Sequence, residues 1–81
     1  MMNDKQLVEI LSGVFNETLG IEEFDLSISM DKIQKWDSLK HIQLLSSIER
    51  AFGIEIQFED TIEMISGQSI LNNIKKYIAN V

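Results

Sequence analysis

Apolar positions along the chain follow two rhythms. Leu7, Ile10, Leu11, Val14, Phe15, Thr18 and Leu19 recur at the three- and four-residue steps of one face of an amphipathic helix. Asn3 or Asp4 is placed to cap that helix, with Gln6 three residues after Asn3 as in a capping box, and Gly20 is placed to end it. Leu39, Ile42, Leu45, Ile48 and Phe52 predict a second helix, with Asp37 ahead of it as N-cap candidate and Gly53 at its close. A third is predicted by Ile70, Leu71, Ile74, Tyr77, Ile78 and Val81. Ser66 is its cap beside Gly67, and Lys75 and Lys76 sit in the last turns, where cations complement the helix dipole. Between the last two helices, Glu59 to Ile65 has room for one or two helical turns.

The second rhythm is alternation. Phe24, Leu26, Ile28 and Met30 are separated by polar residues, and so are Ile54, Ile56 and Phe58. The two segments could pair, but a lone two-stranded ribbon is marginal and no third strand is visible to complete a sheet. Both are therefore read as extended connections that lay apolar side chains on a helical core. The first connection, Gly20 to Trp36, is long, and such loops are usually functional or hold a short helix. The expected architecture is all-α: a small four-helix bundle of three main antiparallel helices plus one short helix, with a long first loop. With no proline, flexible linker or internal repeat, residues 1–81 are expected to be one complete domain.

Composition narrows the function. A chain of 81 residues buries roughly 60–65% of its unfolded surface, which leaves no room for both a large substrate and a catalytic site. A module that works with partners is favoured. The formal charge of −6 repels phosphate backbones, so nucleic acid is not an expected partner. The same charge suits docking on basic protein patches, or simply keeps a small domain soluble. No run of 18 apolar residues exists to span a membrane. The segment Met1 to Val8, with Asn3, Asp4, Lys5 and Gln6, lacks the apolar core of a signal peptide, so a cytoplasmic protein is expected. Without cysteine there is no disulfide, thiolate metal site or cysteine nucleophile; any thiol chemistry must be imported.

Trp36-Asp37-Ser38-Leu39 stands where the long loop meets the second helix. As N-cap, Asp37 would accept a bond from the backbone of Leu39 or Lys40, leaving the Ser38 hydroxyl at the first helical position and facing solvent. An anion attached there would meet unsatisfied N–H groups and the positive end of the helix dipole, with Lys40 as a nearby cation. Taken alone, Asp-Ser ahead of a helix is ordinary capping. His41, the single histidine, has no companions for a metal site and is read as a surface or staple residue. Glu22, Glu23, Asp25 and Asp31 do not follow the spacing of a calcium loop and are read as solvated loop charge. Met30 and Met64 either border a pliable cavity or are plain core.

Asp37-Ser38-Leu39, followed by Ile42, Leu44, Leu45, Ile48, Glu49, Phe52, Ile54 and Ile56, then an acidic short helix and an Ile-rich final helix, resembles the acyl carrier proteins over nearly the whole chain. The resemblance implies that a phosphopantetheinyl transferase moves 4'-phosphopantetheine from coenzyme A onto Ser38. The arm's thiol would then hold acyl or aminoacyl intermediates as thioesters and present them to loading and downstream biosynthetic enzymes. On this reading the chain is a monomeric, non-catalytic carrier that tethers its cargo and so raises the local concentration at each partner.

Departures from the family point to a specialised pathway, such as aminoacyl, modified-lipid or secondary-metabolite chemistry. Carriers of primary fatty-acid synthesis typically place acidic residues after the Ser-Leu pair, whereas the matching positions here are Lys40, Gln43 and Arg50, with Glu49 kept. Ser46 stands where those proteins tend to expose an apolar contact residue. Acidity returns at Glu55, Glu59, Asp60 and Glu63, and Asp37 to Glu63 carries six acids against two bases. The expected partner surface is Trp36, Leu39, Lys40, Ser46, Glu59, Asp60 and Glu63. Trp36 would shield the base of the arm or touch a partner; alternatively it packs on His41 as a staple that fixes the chain's entry into the helix. The rival reading is an unmodified acidic helical protein-interaction domain in which Ser38 is only part of a cap. An enzyme ranks last, because no nucleophile with a base, metal set or phosphate loop can be assembled from these residues.

Overall fold

The computed structural model describes residues 2–79, so Val81 of the predicted last stripe lies outside the described residues. Four α-helices, and no strand, occur among the described residues: α1 (Asp4–Leu19), α2 (Ser38–Phe52), α3 (Phe58–Thr61) and α4 (Gly67–Ala79). The all-α bundle is thus the observed fold.

Local chemistry sets the helix ends. Asn3 caps α1 through a reciprocal pair: its Oδ1 accepts from Gln6 N at 2.9 Å, and its own N–H donates to Gln6 Oε1 at 3.0 Å. α4 repeats the device with serine in the glutamine's place, since Ser69 N donates to Ser66 Oγ at 3.1 Å and Ser66 N donates to Ser69 Oγ at 3.0 Å. Gly20 and Gly53 close α1 and α2 in the left-handed region, at φ 69° and 65°, where a side chain would be strained.

α1 and α2 form the most extensive helix pair. Leu7, Leu11, Val14, Phe15 and Leu19 of α1 are buried against Leu44, Leu45 and Ile48 of α2, and Ile70, Leu71 and Ile74 of α4 complete the core with Met64. On α2 the structure corrects the predicted stripe. Leu39 and Ile42 share its spacing but are 63% and 66% exposed. The first turn of the helix turns His41 inward to the Trp36 ring instead, which leaves Leu39 and Ile42 on the solvent side.

Phe24, Leu26, Ile28, Met30, Ile54 and Ile56 pack against the core, as extended connections should. Phe58 does not: it opens α3, where strand alternation ends, and is 78% exposed. The two alternating segments do not pair with each other. The long loop, which contains a 3₁₀ turn at Met30–Lys32, is stitched instead to the start of α4. Ser29 forms an isolated antiparallel bridge with Ser66. Met30 N donates to Ile65 O at 2.8 Å, Gly67 N to Ile28 O at 2.8 Å and Gln68 N to Leu26 O at 3.0 Å. Loop carbonyls thereby satisfy two N–H groups that the first turn of α4 would leave without partners. The approach is tight at Gly67: a Cβ there would lie 3.0 Å from Leu26 Cα and 3.1 Å from the carbonyl oxygens of Asp25 and Leu26, so the loop backbone would have to give way to it.

Candidate functional site

The long loop delivers Trp36, Asp37 and Ser38 to the start of α2. Asp37 is the cap, and of the two backbone donors available to it, Lys40 N is the one it accepts from, at 2.8 Å. The first rung of the helix runs from His41 N to Asp37 O at 2.8 Å, so the N–H groups of Ser38 and Leu39 precede the helical ladder. Ser38 occupies the first helical position and is exposed. Its hydroxyl is not needed for the cap. A phosphodiester on Ser38 Oγ fits this end, where unsatisfied N–H groups and the positive dipole end of a 15-residue helix favour an anion.

Trp36 is not on the surface expected for it: the residue is 2% exposed. Its ring meets Phe15 edge-to-face with centroids 5.3 Å apart, and Phe15 in turn lies 4.7 Å from the ring of Phe24. The indole N–H donates to His41 Nδ1 at 3.0 Å. Trp36 is therefore a staple between the residue before the cap and the first turn of α2. On its other side, His41 Nε2 lies 3.0 Å from the carbonyl oxygen of Thr61. An indole N–H can only donate and a carbonyl oxygen can only accept, so these partners select the neutral imidazole with its proton on Nε2.

Leu39, Ser46, Glu59 and Glu63 are exposed and Lys40 is half-buried. Asp60 departs from the expected partner surface, since its side chain is only 16% exposed. Its carboxylate accepts from the Tyr77 hydroxyl and from Lys76 Nζ at 3.3 Å, and Tyr77 Oη accepts from Gln57 N at 2.8 Å. Asp60 is thus a brace from α3 to α4. The Tyr77 hydroxyl, more than Lys76, holds the Asp60 carboxyl below the usual carboxylate range in spite of its burial. Burial, and then the bond to Asp60, push the Tyr77 hydroxyl up. In the long loop, the Ser27 and Ser29 hydroxyls donate to Asp25 and Asp31 and lower both carboxyls.

Sequence reasoning missed a set of exposed apolar residues on α2 and around α3. Ile42, Phe58, Ile62 and Ile65 join Leu39 as exposed large hydrophobic residues on α2, on α3 and just after it. Ile42 was counted inward by its spacing, and α3 is too short for its spacing to be read. Met64 is core, at 0% exposure. An open groove of about 540 Å³ lies elsewhere, at the far end of α2, lined by Ile10, Ala51, Phe52, Gly53, Ile54 and Ile78 among others.

No protein-family model matches the chain. It is, however, 34% identical over 74 residues to the acyl carrier protein of Buchnera aphidicola subsp. Baizongia pistaciae (strain Bp), a match that spans 91% of this chain and 82% of that protein. The chain belongs to the acyl carrier protein family. Membership in the acyl carrier family gives it a carrier role, and the family implies phosphopantetheine as the prosthetic group. Among the described residues no helix is long and apolar enough to cross a membrane.

Proposed function

We propose that this protein is a cytoplasmic carrier that bears a 4'-phosphopantetheine arm on Ser38 and presents acyl or aminoacyl thioesters to the enzymes of a specialised pathway. The observation that carries the reading is the division of labour at the start of α2: Asp37 takes the cap, so Ser38 is left exposed with a hydroxyl available for modification. In the transfer, Ser38 Oγ forms a bond to phosphorus as a P–O bond of the coenzyme A pyrophosphate breaks. The nucleotide half leaves, and the hydroxyl proton passes to the transferase. Once attached, the arm supplies the thiol that this cysteine-free chain lacks.

The partner surface on this reading comprises Leu39, Lys40, Ser46, Glu59 and Glu63, extended by Ile42 and Ile62. Lys40, Gln43 and Arg50 along α2 support partners other than the standard fatty-acid enzymes. Intact-mass measurement after incubation with coenzyme A and a broad-specificity phosphopantetheinyl transferase tests the assignment. A single phosphopantetheine adduct is expected on the wild type and none on Ser38→Ala, whose melting temperature should match the wild type. Failure of several active transferases to modify the wild type would instead favour an unmodified interaction domain.

A further inference from the structure

We infer that His41 is a positioning residue for recognition at Ser38: its neutral tautomer ties α3 to the arm-bearing end of α2, so that a partner meets the apolar residues of both helices as one face. This role rests on the carrier reading above.

α3 is a single turn of four residues and cannot hold itself in place, because a first helical turn fixes several residues for little hydrogen bonding. Nor does its outer face draw it inward, since Phe58 and Ile62 are 78% and 66% exposed. It is held by polar bonds at its two ends. At the start, Gln57 N and Asp60 are fastened to Tyr77 of α4; at the close, Thr61 O accepts from His41 of α2. The first fastening sets α3 against α4 and the second sets it against the first turn of α2, where Leu39 and Ile42 stand; ahead of α3, Ile56 N also donates to Glu49 Oε2, further along α2, at 2.8 Å.

His41 is itself fixed from behind. Trp36, buried against Phe15, occupies Nδ1 through its indole N–H, which leaves Nε2–H directed at Thr61. With both ring nitrogens engaged, the imidazole is not a base for the Ser38 hydroxyl. It touches no reacting atom and acts through the position of α3. The chain Phe15, Trp36, His41, Thr61 therefore runs from the core to the recognition face in packed and hydrogen-bonded steps.

Two measurements test this on the intact protein. The first is transferase kinetics with the carrier as varied substrate, comparing wild type with His41→Phe and His41→Gln. Loss of one neutral hydrogen bond, about 0.5–1.5 kcal/mol, predicts that His41→Phe raises KM roughly 2- to 12-fold with kcat within about twofold. Glutamine offers both an acceptor and a donor and is expected to restore most of the loss. A purely structural role would lower the melting temperature without this split. Should His41→Phe fail to fold, Trp36→Phe removes the indole donor while keeping a ring, and takes its place with the same expectation. The second measurement is nitrogen-15 NMR of the wild type, which should show His41 with unprotonated Nδ1 and protonated Nε2. The opposite tautomer, an unchanged KM in the phenylalanine variant, or failure of glutamine to restore it would each overturn the positioning role alone. A wild type that accepts no arm would overturn the carrier reading and this role with it.

Discussion

Where the long first loop meets α4, backbone bonds and a glycine-tight approach close the joint, whereas α3 meets its neighbours through a few side-chain bonds and leaves Phe58, Ile62 and Ile65 in solvent. Both regions are rich in isoleucine and other large apolar residues, yet they use them oppositely. On the closed side Ile70 and Ile74 are fully buried and contribute to stability. On the open side Leu39 and Ile42, on the same helix as the exposed Ser38, stand in solvent with Phe58, Ile62 and Ile65, and large apolar side chains left in solvent contribute little to the core. On the carrier reading proposed above, stability and recognition reside in different parts of one small fold, so each can be perturbed separately.

The contrast can be broken most forcefully with isoleucine truncations. Ile74→Ala should cost about 2–5 kcal/mol in urea unfolding, because it empties core volume. Ile62→Ala, on the open side, should stay within about 0.5 kcal/mol of wild type. Equal costs would mean that α3 contributes to the core after all. Gly67→Ala is next in size: Leu26 and Asp25 backbone atoms cannot yield to a new methyl group as a flexible side chain can, and overpacking of this kind costs about 1–3 kcal/mol. A Gly67→Ala protein as stable as wild type would show that the joint is looser than its geometry.

The smallest effect sharpens the polar side of the comparison. Asp60 lies below the ordinary carboxylate value of about 3.9, so its contribution is present above that value and lost as pH falls through the folded one. Tyr77 lies above the ordinary value of about 10, so its contribution is present below that value and lost as pH rises through the folded one. Tyr77→Phe removes the bond they share. The variant should be less stable than wild type at neutral pH, with the gap narrowing below about pH 4 and above about pH 10. A gap that does not change with pH, in melting temperatures across that range, would show the brace to be unimportant.

Helix ends were legible in the sequence because caps act over a few residues: Asn3 with Gln6, Asp37, Ser66, Gly20 and Gly53 all occupy the positions that their chemistry suggests. Ser38, which we propose bears the arm, was singled out by Asp37-Ser38-Leu39 together with the pattern that follows it. The inward face of α2 was harder to read. Leu39 and Ile42 fit the same three- and four-residue steps as Leu45 and Ile48, and periodicity does not say what lies opposite each turn. Trp36 had two open roles for the same reason, and the ring of Phe15 decided between them. The joint between Leu26 and Gln68 leaves no more than a glycine at position 67 as its trace, and the bond from His41 to Thr61 names no partner in residue types, because the acceptors are backbone carbonyls that every residue has.

The joint between the loop and α4 also bears on timing. Leu26 and Gln68 are 42 residues apart, so the bond between them waits on the far end of the chain, whereas α1 and α2 have all their residues much earlier. During synthesis from the N-terminus, residues 26–30 of the long loop therefore acquire their final path only after the start of α4 has emerged, whereas Trp36 can pack on Phe15 earlier. A half-made chain thus holds the Trp36 end of the loop in place while the middle of the loop is still unanchored.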